Sequence, residues 1–265
     1  MSVAVDRDSH RRFFTALGVV YAVFWLALAI APVDRETWVL ENALTVVFVA
    51  GLLATHRRFL LSRLSYALVF AFLGLHAVGS HYTYSLVPYD AWSEALFGTS
   101  VSELTGWQRN HYDRLVHLAF GALLGYPARE VFVRIAAARG FWGYFLPLIL
   151  MMSLSVGYEL IEWGAAIAFG GDLGIHYLGT QGDVWDGHRD MALAGLGAVL
   201  AMLATAGVNL ALQRDFAREW HESLRVKRAE PLGETAIREM LAARKETSGA
   251  VPGAAADADA GRPER

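Results

Sequence analysis

The sequence predicts an all-α polytopic membrane protein with six transmembrane helices and both termini in the cytoplasm. Three observations support this prediction. The 265 residues are 55% hydrophobic and only 18% charged, whereas soluble domains carry about 25% charged residues. The apolar runs approach the ~20 residues that a spanning helix needs, and a helix satisfies its own backbone in lipid. Basic residues collect between alternate runs, as topology requires.

Six apolar runs define the predicted spans of a membrane domain over residues 1–212. The first run follows several arginines, but it has spanning length and no clear cleavage site. We therefore expect a retained helix rather than a signal peptide. The fourth run is the most polar, because it opens with Asp113 and Arg114 and contains Pro127. The predicted spans are residues 13–31, 39–55, 64–80, 110–128, 142–168 and 188–212.

The positions of arginine and lysine predict the orientation. Basic residues precede the first span, lie between the second and third and between the fourth and fifth, and follow the sixth. Cytoplasmic segments of membrane proteins are rich in these residues, so all four segments are placed inside. The alternate loops contain only Arg35, Arg109 and Arg189, beside many carboxylates.

The chain after residue 212 changes in composition, and residues 213–265 are predicted to form a charged cytoplasmic tail. Residues 213–245 are expected to form short cytoplasmic or surface helices. From about residue 247 the tail is rich in Ala, Gly, Pro and Asp and is predicted to be disordered. The chain has no cysteine, which excludes disulfides and thiolate metal sites. Topology explains the basic residues, so no nucleic-acid partner is expected.

Ionisable side chains concentrate at the predicted extracytoplasmic ends of the spans. Each ionisable residue inside a span costs about 2.5–3.5 kcal/mol to insert, so such a concentration indicates a function. Residues three or four positions apart lie on one face of a helix. Three pairs have this spacing: Asp113 with His117, Glu159 with Glu162, and Asp186 with Asp190.

Carboxylate and imidazole groups without thiolates are suitable ligands for Mg, Mn, Zn or Fe. Clustered carboxylates in a low dielectric repel one another unless protons, arginines or a cation compensate them. A bound divalent metal ion is one interpretation, and ion pairs with arginines are the alternative. An ordinary turn and helix N-cap also explain Asp183 and Asp186. The predicted metal ligands are Asp113, His117, Glu159, Asp183, Asp186 and Asp190.

The first functional hypothesis is a metal-dependent hydrolase or transferase that acts on a membrane lipid or lipid-linked molecule at the outer leaflet. Glu162 or His111 would act as general base for a metal-bound water. Arg109 and Arg189 would bind a phosphate group. The further candidates for substrate binding are His81 and Tyr82.

Two alternatives remain open. One is a non-catalytic scaffold or assembly factor whose ion pairs are structural. The other is a proton- or cation-coupled transporter, although the polar residues do not continue to the cytoplasmic face as a pathway requires.

Five stretches resemble the YjdF-type bacterial inner-membrane proteins, a family without an established reaction. The resemblance covers about residues 15–212 and implies a location in the bacterial inner (plasma) membrane. The stretches are residues 31–38, 81–84, 109–117, 158–163, and 179–186 with 190–191.

A looser similarity to the VanZ-like membrane proteins begins with the stretch from Asp113 to His117, where Arg114 replaces the usual lysine. Glu159 and the stretch 183–190 continue the pattern. This similarity implies a shared site rather than a known activity.

Overall fold

Helices form the secondary structure of the computed structural model, which describes residues 7–171, 180–212, 215–227 and 231–249. The chain divides into two units, Met1–Ser223 and Leu224–Arg265. The helices, in chain order, are α1 (Arg7–Leu28), α2 (Arg35–Thr55), α3 (Arg63–His81), α4 (Tyr89–Phe97), α5 (Val101–Thr105), α6 (Tyr112–Ile135), α7 (Trp142–Phe169), α8 (Asp186–Leu212), α9 (Phe216–Ser223) and α10 (Leu232–Gly249).

Five of the helices in the described part of the chain are long and apolar enough to cross a membrane, namely α1, α2, α3, α7 and α8. The all-α membrane class predicted from sequence agrees with this finding. The helix α6 covers the fourth predicted span but is not among the five. Its charged residues explain this, because Asp113 and Arg114 open it and Glu130 and Arg134 lie in its last two turns.

Apolar side chains cover the outer surface of these helices. Val20 is 55% exposed, Val47 is 68% exposed and Leu203 is 62% exposed. Such extensive apolar exposure is unusual for a soluble protein and is expected where lipid is the solvent. The inner faces meet in a core that includes Leu73 of α3 and Leu124 of α6.

The helix α6 packs against α3, α7 and α8, and its closest approach is to α8. A Cβ atom on Gly121 would collide with the carbonyl oxygen of Ala194. A Cβ atom on Gly197 would likewise collide with the carbonyl oxygen of Leu118. Glycines at such crossings let membrane helices approach until their backbones touch. We call this contact the α6–α8 glycine seam.

The start of α3 is held by α6. Ser62 caps α3 by accepting a hydrogen bond from the Ser65 amide at 3.1 Å. The Glu130 carboxylate accepts hydrogen bonds from the Ser62 amide at 2.9 Å and from the Ser65 hydroxyl at 2.6 Å. Arg63 donates a hydrogen bond to the Ser9 hydroxyl, so the start of α1 joins the same end of the unit.

The helix α9 packs against the loop between α6 and α7. The Gly140 amide donates to the Glu219 carboxylate at 3.2 Å, and the Phe141 amide donates to the Ser223 hydroxyl at 3.0 Å. Four segments rich in basic residues are therefore linked in pairs near the start of α3 and the start of α7. The stretch predicted to be disordered from about residue 247 lies largely outside the described residues, although α10 reaches Gly249.

The segment between α3 and α6 is attached to the opposite end. The Asp90 carboxylate of α4 accepts hydrogen bonds from the Ser102 hydroxyl at 2.6 Å and the Ser102 amide at 2.9 Å. These bonds hold the pKa of Asp90 below its usual value. The His111 amide donates to the Tyr89 hydroxyl at 3.0 Å, which fixes this segment beside the start of α6.

Candidate functional site

The first turns of α6 bring two predicted ligands together. Asp113 and His117 are one turn apart, and His117 Nε2 lies 3.5 Å from Asp113 Oδ1. His117 is only 8% exposed. The spacing predicted from sequence therefore does place both groups on the face of α6 that is turned into the protein.

Helix α8 adds Asp190 to this pair. Asp113, His117 and Asp190 each offer one ligand atom, and these atoms lie within 4.8 Å of one another. Asp190 is 2% exposed, and its Oδ1 atom has no hydrogen-bond partner among the described residues. A buried carboxylate oxygen without a partner is costly unless a proton or a cation satisfies it.

Helix α7 contributes Glu159. Its Oε1 atom lies 3.7 Å from His117 Nε2 and has no hydrogen-bond partner in the described part of the chain. Its Oε2 atom lies against Gly187, since a Cβ atom there would be 2.5 Å away. We call Asp113, His117, Glu159 and Asp190 the carboxylate–histidine cluster.

The other two predicted metal ligands contact arginines. Arg109 Nη1 lies 2.7 Å from Asp186 Oδ1, and Arg114 Nη2 lies 2.5 Å from Asp183 Oδ2. The two arginines also approach the opposite aspartates, at 3.5 and 3.4 Å. Arg189 forms a further ion pair with Asp183. We call these five residues the arginine–aspartate network.

The loop before α8 shapes this network. The Asp183 amide donates to the Thr180 carbonyl at 2.8 Å, and Asp183 Oδ1 accepts from the Trp185 amide at 3.1 Å. Burial opposes ionisation of Asp183, but the Trp185 amide and the three arginines together hold its pKa below the usual value. Asp183 therefore remains a carboxylate at neutral pH.

The loops that carry the network are locked to each other. The Asn110 amide donates to Gln181 Oε1 at 3.0 Å, and Gln181 Nε2 donates back to the Asn110 carbonyl at 3.0 Å. Asn110 Oδ1 also accepts from the Tyr112 amide at 2.9 Å at the start of α6. This reciprocal pair fixes the start of α6 relative to the loop that carries Asp183.

The two clusters adjoin each other. Arg114 follows Asp113 in sequence, and Asp186 precedes Asp190 by one turn of α8. The carboxylate of Glu159 packs on Gly187, between those two aspartates. An anion bound by the arginines would therefore lie beside a cation bound by the carboxylate–histidine cluster.

The remaining predicted residues lie around these clusters. Glu162 lies three residues after Glu159 on α7 and is partly buried. His111 precedes α6, and its Nδ1 atom is 3.2 Å from Arg114 Nη1. The structure does not test the roles assigned to these two residues.

The predicted substrate-binding residues His81 and Tyr82 lie at the end of α3, outside both clusters. His81 Nδ1 lies 2.7 Å from the Leu28 carbonyl, and its ring packs edge-on against Tyr82. Tyr82 in turn packs edge-on against Trp92 of α4. Both residues join α3 to neighbouring segments, and their roles in substrate binding stay predictions.

Sequence reasoning did not assign a site role to Glu41 of α2. This residue is 4% exposed and accepts a hydrogen bond at 2.9 Å from the Tyr158 hydroxyl. The Tyr158 ring lies 6.0 Å from the His117 ring, so this acid approaches the carboxylate–histidine cluster. The sequence feature that could have identified Glu41 is an ionisable residue within an apolar span.

His76 lies beside Glu41. Its Nε2 atom is 3.2 Å from the Glu41 carbonyl, and its Nδ1 atom is hydrogen-bonded to the Tyr84 hydroxyl. With both ring nitrogens bonded, His76 serves to connect α2, α3 and the turn after α3.

Comparisons with known proteins identify the family. Residues 13–210 match the family described as "Predicted membrane protein (DUF2238)". The Escherichia coli (strain K12) protein "Inner membrane protein YjdF" is 40% identical over 174 residues, which cover 65% of this chain and 79% of the relative. No solved structure matches the chain. The VanZ-like similarity stays a prediction, because neither match carries it. The predicted YjdF-type assignment is confirmed, and the chain belongs to this family of membrane proteins.

Proposed function

We propose that the protein is a metal-dependent hydrolase or transferase of the bacterial inner membrane. It acts on a lipid or lipid-linked molecule at the outer leaflet. The observation that carries this proposal is the approach of three ligand atoms, from Asp113, His117 and Asp190, to within 4.8 Å of one another.

In this proposal the carboxylate–histidine cluster holds the cation. Carboxylate oxygens with one imidazole nitrogen fit Mg, Mn, Zn or Fe. Two of the oxygens, Asp190 Oδ1 and Glu159 Oε1, have no hydrogen-bond partner among the described residues and are available to it. A bound divalent ion polarises a phosphoryl or carbonyl oxygen and lowers the pKa of bound water. Glu162 and His111 remain the candidates for the general base.

The proposed topology has six spans, with both termini in the cytoplasm. Helix α6 is the fourth of these spans and completes the six, since its 24 residues extend about 36 Å. Its start contacts the loop before α8, and its end contacts the start of α3. The four basic segments are linked to one another by hydrogen bonds, which supports a location on one side of the membrane. The excess of arginine and lysine in them favours the cytoplasmic side.

Single cysteine substitutions test this topology. The wild-type chain contains no cysteine, so no native cysteine has to be removed first. Ala95→Cys in α4 and Ala136→Cys after α6 are both exposed positions. A membrane-impermeant maleimide should label Ala95→Cys in intact spheroplasts and Ala136→Cys only after permeabilisation. The reverse pattern would overturn the orientation.

Metal analysis of purified protein tests the site. We expect bound or readily loaded divalent metal in the wild type and its loss in Asp190→Asn. The matched control is Asp215→Asn, which removes the same charge from an exposed surface pair with Arg218. A folded wild type that binds no added cation would disprove the proposed metal site.

The arginine–aspartate network favours the scaffold as a second candidate. Asp183 and Asp186 both have arginine partners, so their charges are compensated without a ligand. For a scaffold, Asp113→Asn combined with Glu159→Gln should leave the cellular role of the protein intact. Loss of that role with normal folding and membrane insertion would favour the enzyme.

A further inference from the structure

The arginine–aspartate network has more positive than negative charge. The guanidinium groups of Arg109, Arg114 and Arg189 face the carboxylates of Asp183 and Asp186, so one positive charge is in excess. An anion bound at the network would neutralise this excess, since the adjoining carboxylates of Asp113, Glu159 and Asp190 lie against His117 instead.

Two donors of the network are unused. Arg109 Nη2 and Arg114 Nε are buried and have no hydrogen-bond partner within the described ranges. Buried donors of charged groups are rarely left unsatisfied, because each one loses its hydration without compensation. Additional acceptor oxygens at this position would satisfy them.

Asp183 is the carboxylate of the network that is carried by a loop. It lies in the loop before α8 rather than in a helix, so its displacement does not require α8 to move. Its partner Arg189 is 54% exposed, whereas the side chains of Arg109 and Arg114 are 14% and 15% exposed. The network therefore meets solvent at Arg189, which lies directly against Asp183.

We propose that Arg109, Arg114 and Arg189 form a binding site for a phosphate-type oxyanion. In the ligand-free protein the Asp183 carboxylate occupies this site, and the oxyanion displaces it. Arginine binds carboxylate and phosphate through the same planar pair of donors, so one group is a direct substitute for the other. Asp186 stays in place, because it is 3% exposed and belongs to α8.

This inference rests on the proposed function in one respect. The network adjoins the carboxylate–histidine cluster, so a phosphate held there is the group that the proposed metal ion would reach. The oxyanion site itself requires no metal.

Binding of inorganic phosphate to full-length protein in detergent, after chelator treatment, tests the site. We expect weak binding by the wild type and binding about tenfold tighter by Asp183→Asn, because the competing carboxylate is removed. Adding Arg114→Gln to this variant should abolish the gain. Equal affinities of the wild type and Asp183→Asn would overturn the proposal, and so would the same gain in the control Asp215→Asn.

A second measurement covers the case in which Asp183→Asn does not fold. Phosphate should raise the thermal unfolding midpoint of the wild type, and Arg114→Gln alone should remove this rise. An undiminished rise in Arg114→Gln would overturn the site.

The source of the oxyanion is distinguished by nanodiscs that contain phosphatidylcholine with or without phosphatidic acid. Stabilisation of Asp183→Asn by phosphatidic acid alone identifies a lipid headgroup, and stabilisation by inorganic phosphate alone identifies a soluble ligand. Failure of both probes refutes the site. Phosphate binding that occurs only in metal-loaded protein refutes the arginine site but supports the proposed metal site, so the two proposals can fail separately.

Discussion

The α6–α8 glycine seam yields a quantitative prediction for Gly121→Ala. The new Cβ atom would overlap the Ala194 carbonyl oxygen and lie 2.5 Å from the Ala198 nitrogen. Ordinary contact requires about 3.5 Å, so α6 and α8 must separate by about 1 Å to relieve the overlap with Ala198 and by more to relieve that with the Ala194 oxygen. Because both neighbours are backbone atoms, side-chain rotation cannot relieve the overlap. Overpacking of this kind costs about 1–3 kcal/mol of stability.

The same separation should disturb the carboxylate–histidine cluster. His117 and Asp113 lie on α6 and Asp190 lies on α8, while metal–ligand distances tolerate only about 0.2 Å of change. Gly121→Ala should therefore weaken metal binding as well as stability, although residue 121 offers no ligand atom.

Thermal unfolding in detergent and metal content measure the two effects. The control is Gly207→Ala on α8, where nothing lies within 4 Å of the added Cβ. It should be neutral or stabilising by about 0.5–1 kcal/mol, as expected for glycine replaced by alanine within a helix. If the unfolding midpoint of Gly121→Ala equals or exceeds that of Gly207→Ala, the close approach of the two helices is refuted.

Three further predictions concern the surroundings of the site. Tyr158→Phe removes the donor to buried Glu41 and should lower stability by about 1–3 kcal/mol in thermal unfolding; an unchanged midpoint would contradict the bond. Because the pKa of Asp90 is lowered in the folded state, its bonds to Ser102 contribute stability above the usual carboxyl pKa and are lost as pH falls through the lowered value. The protection factor of the Ser102 amide against hydrogen exchange should fall in that acid range in the wild type and at neutral pH in Asp90→Asn, and a pH-independent protection factor in the wild type would refute this. Glu130→Ala should accelerate exchange at the Ser62 amide and cost roughly 1 kcal/mol, whereas unchanged protection of Ser62 would show that solvent replaces the carboxylate.

Sequence patterns predicted the helices well, because apolar run length decides where a chain can cross lipid. The exception is α6, whose polar ends contact the start of α3 and the loop before α8. Charge at Asp113, Arg114 and Glu130 lowers its apolar character. Arg114 and Glu130 have partners on other segments, and Asp113 pairs with His117 of α6 beside Asp190 of α8. Hydropathy measures a helix alone and does not record those partners.

The candidate site was predicted in part. Helical spacing placed Asp113 with His117 on one face, and the structure brings Asp190 to them. The same spacing rule cannot show which faces of different helices meet. Spacing predicted that Asp186 and Asp190 share one face of α8 and both bind the metal. In the structure Asp190 lies beside Asp113 and His117, whereas Asp186 contacts Arg109.

Glu41 illustrates the other limit of sequence reasoning. No ionisable residue lies three or four positions from Glu41 in the sequence, and its partner Tyr158 lies 117 residues later. Only the tertiary fold brings Glu41 of α2 to Tyr158 of α7, so local spacing carries no information about this contact.

The bond between Glu130 and the start of α3 has a consequence for biogenesis. The partner of Ser65 is 65 residues further along the chain, which takes roughly 3–13 s to synthesise at ordinary elongation rates. During that interval the start of α3 lacks the carboxylate that accepts hydrogen bonds from Ser62 and Ser65. The start of α3 is therefore completed by a helix that is synthesised later. In ribosome-bound chains that end before α6, the Ser62 amide should exchange its hydrogen faster than in the full-length protein.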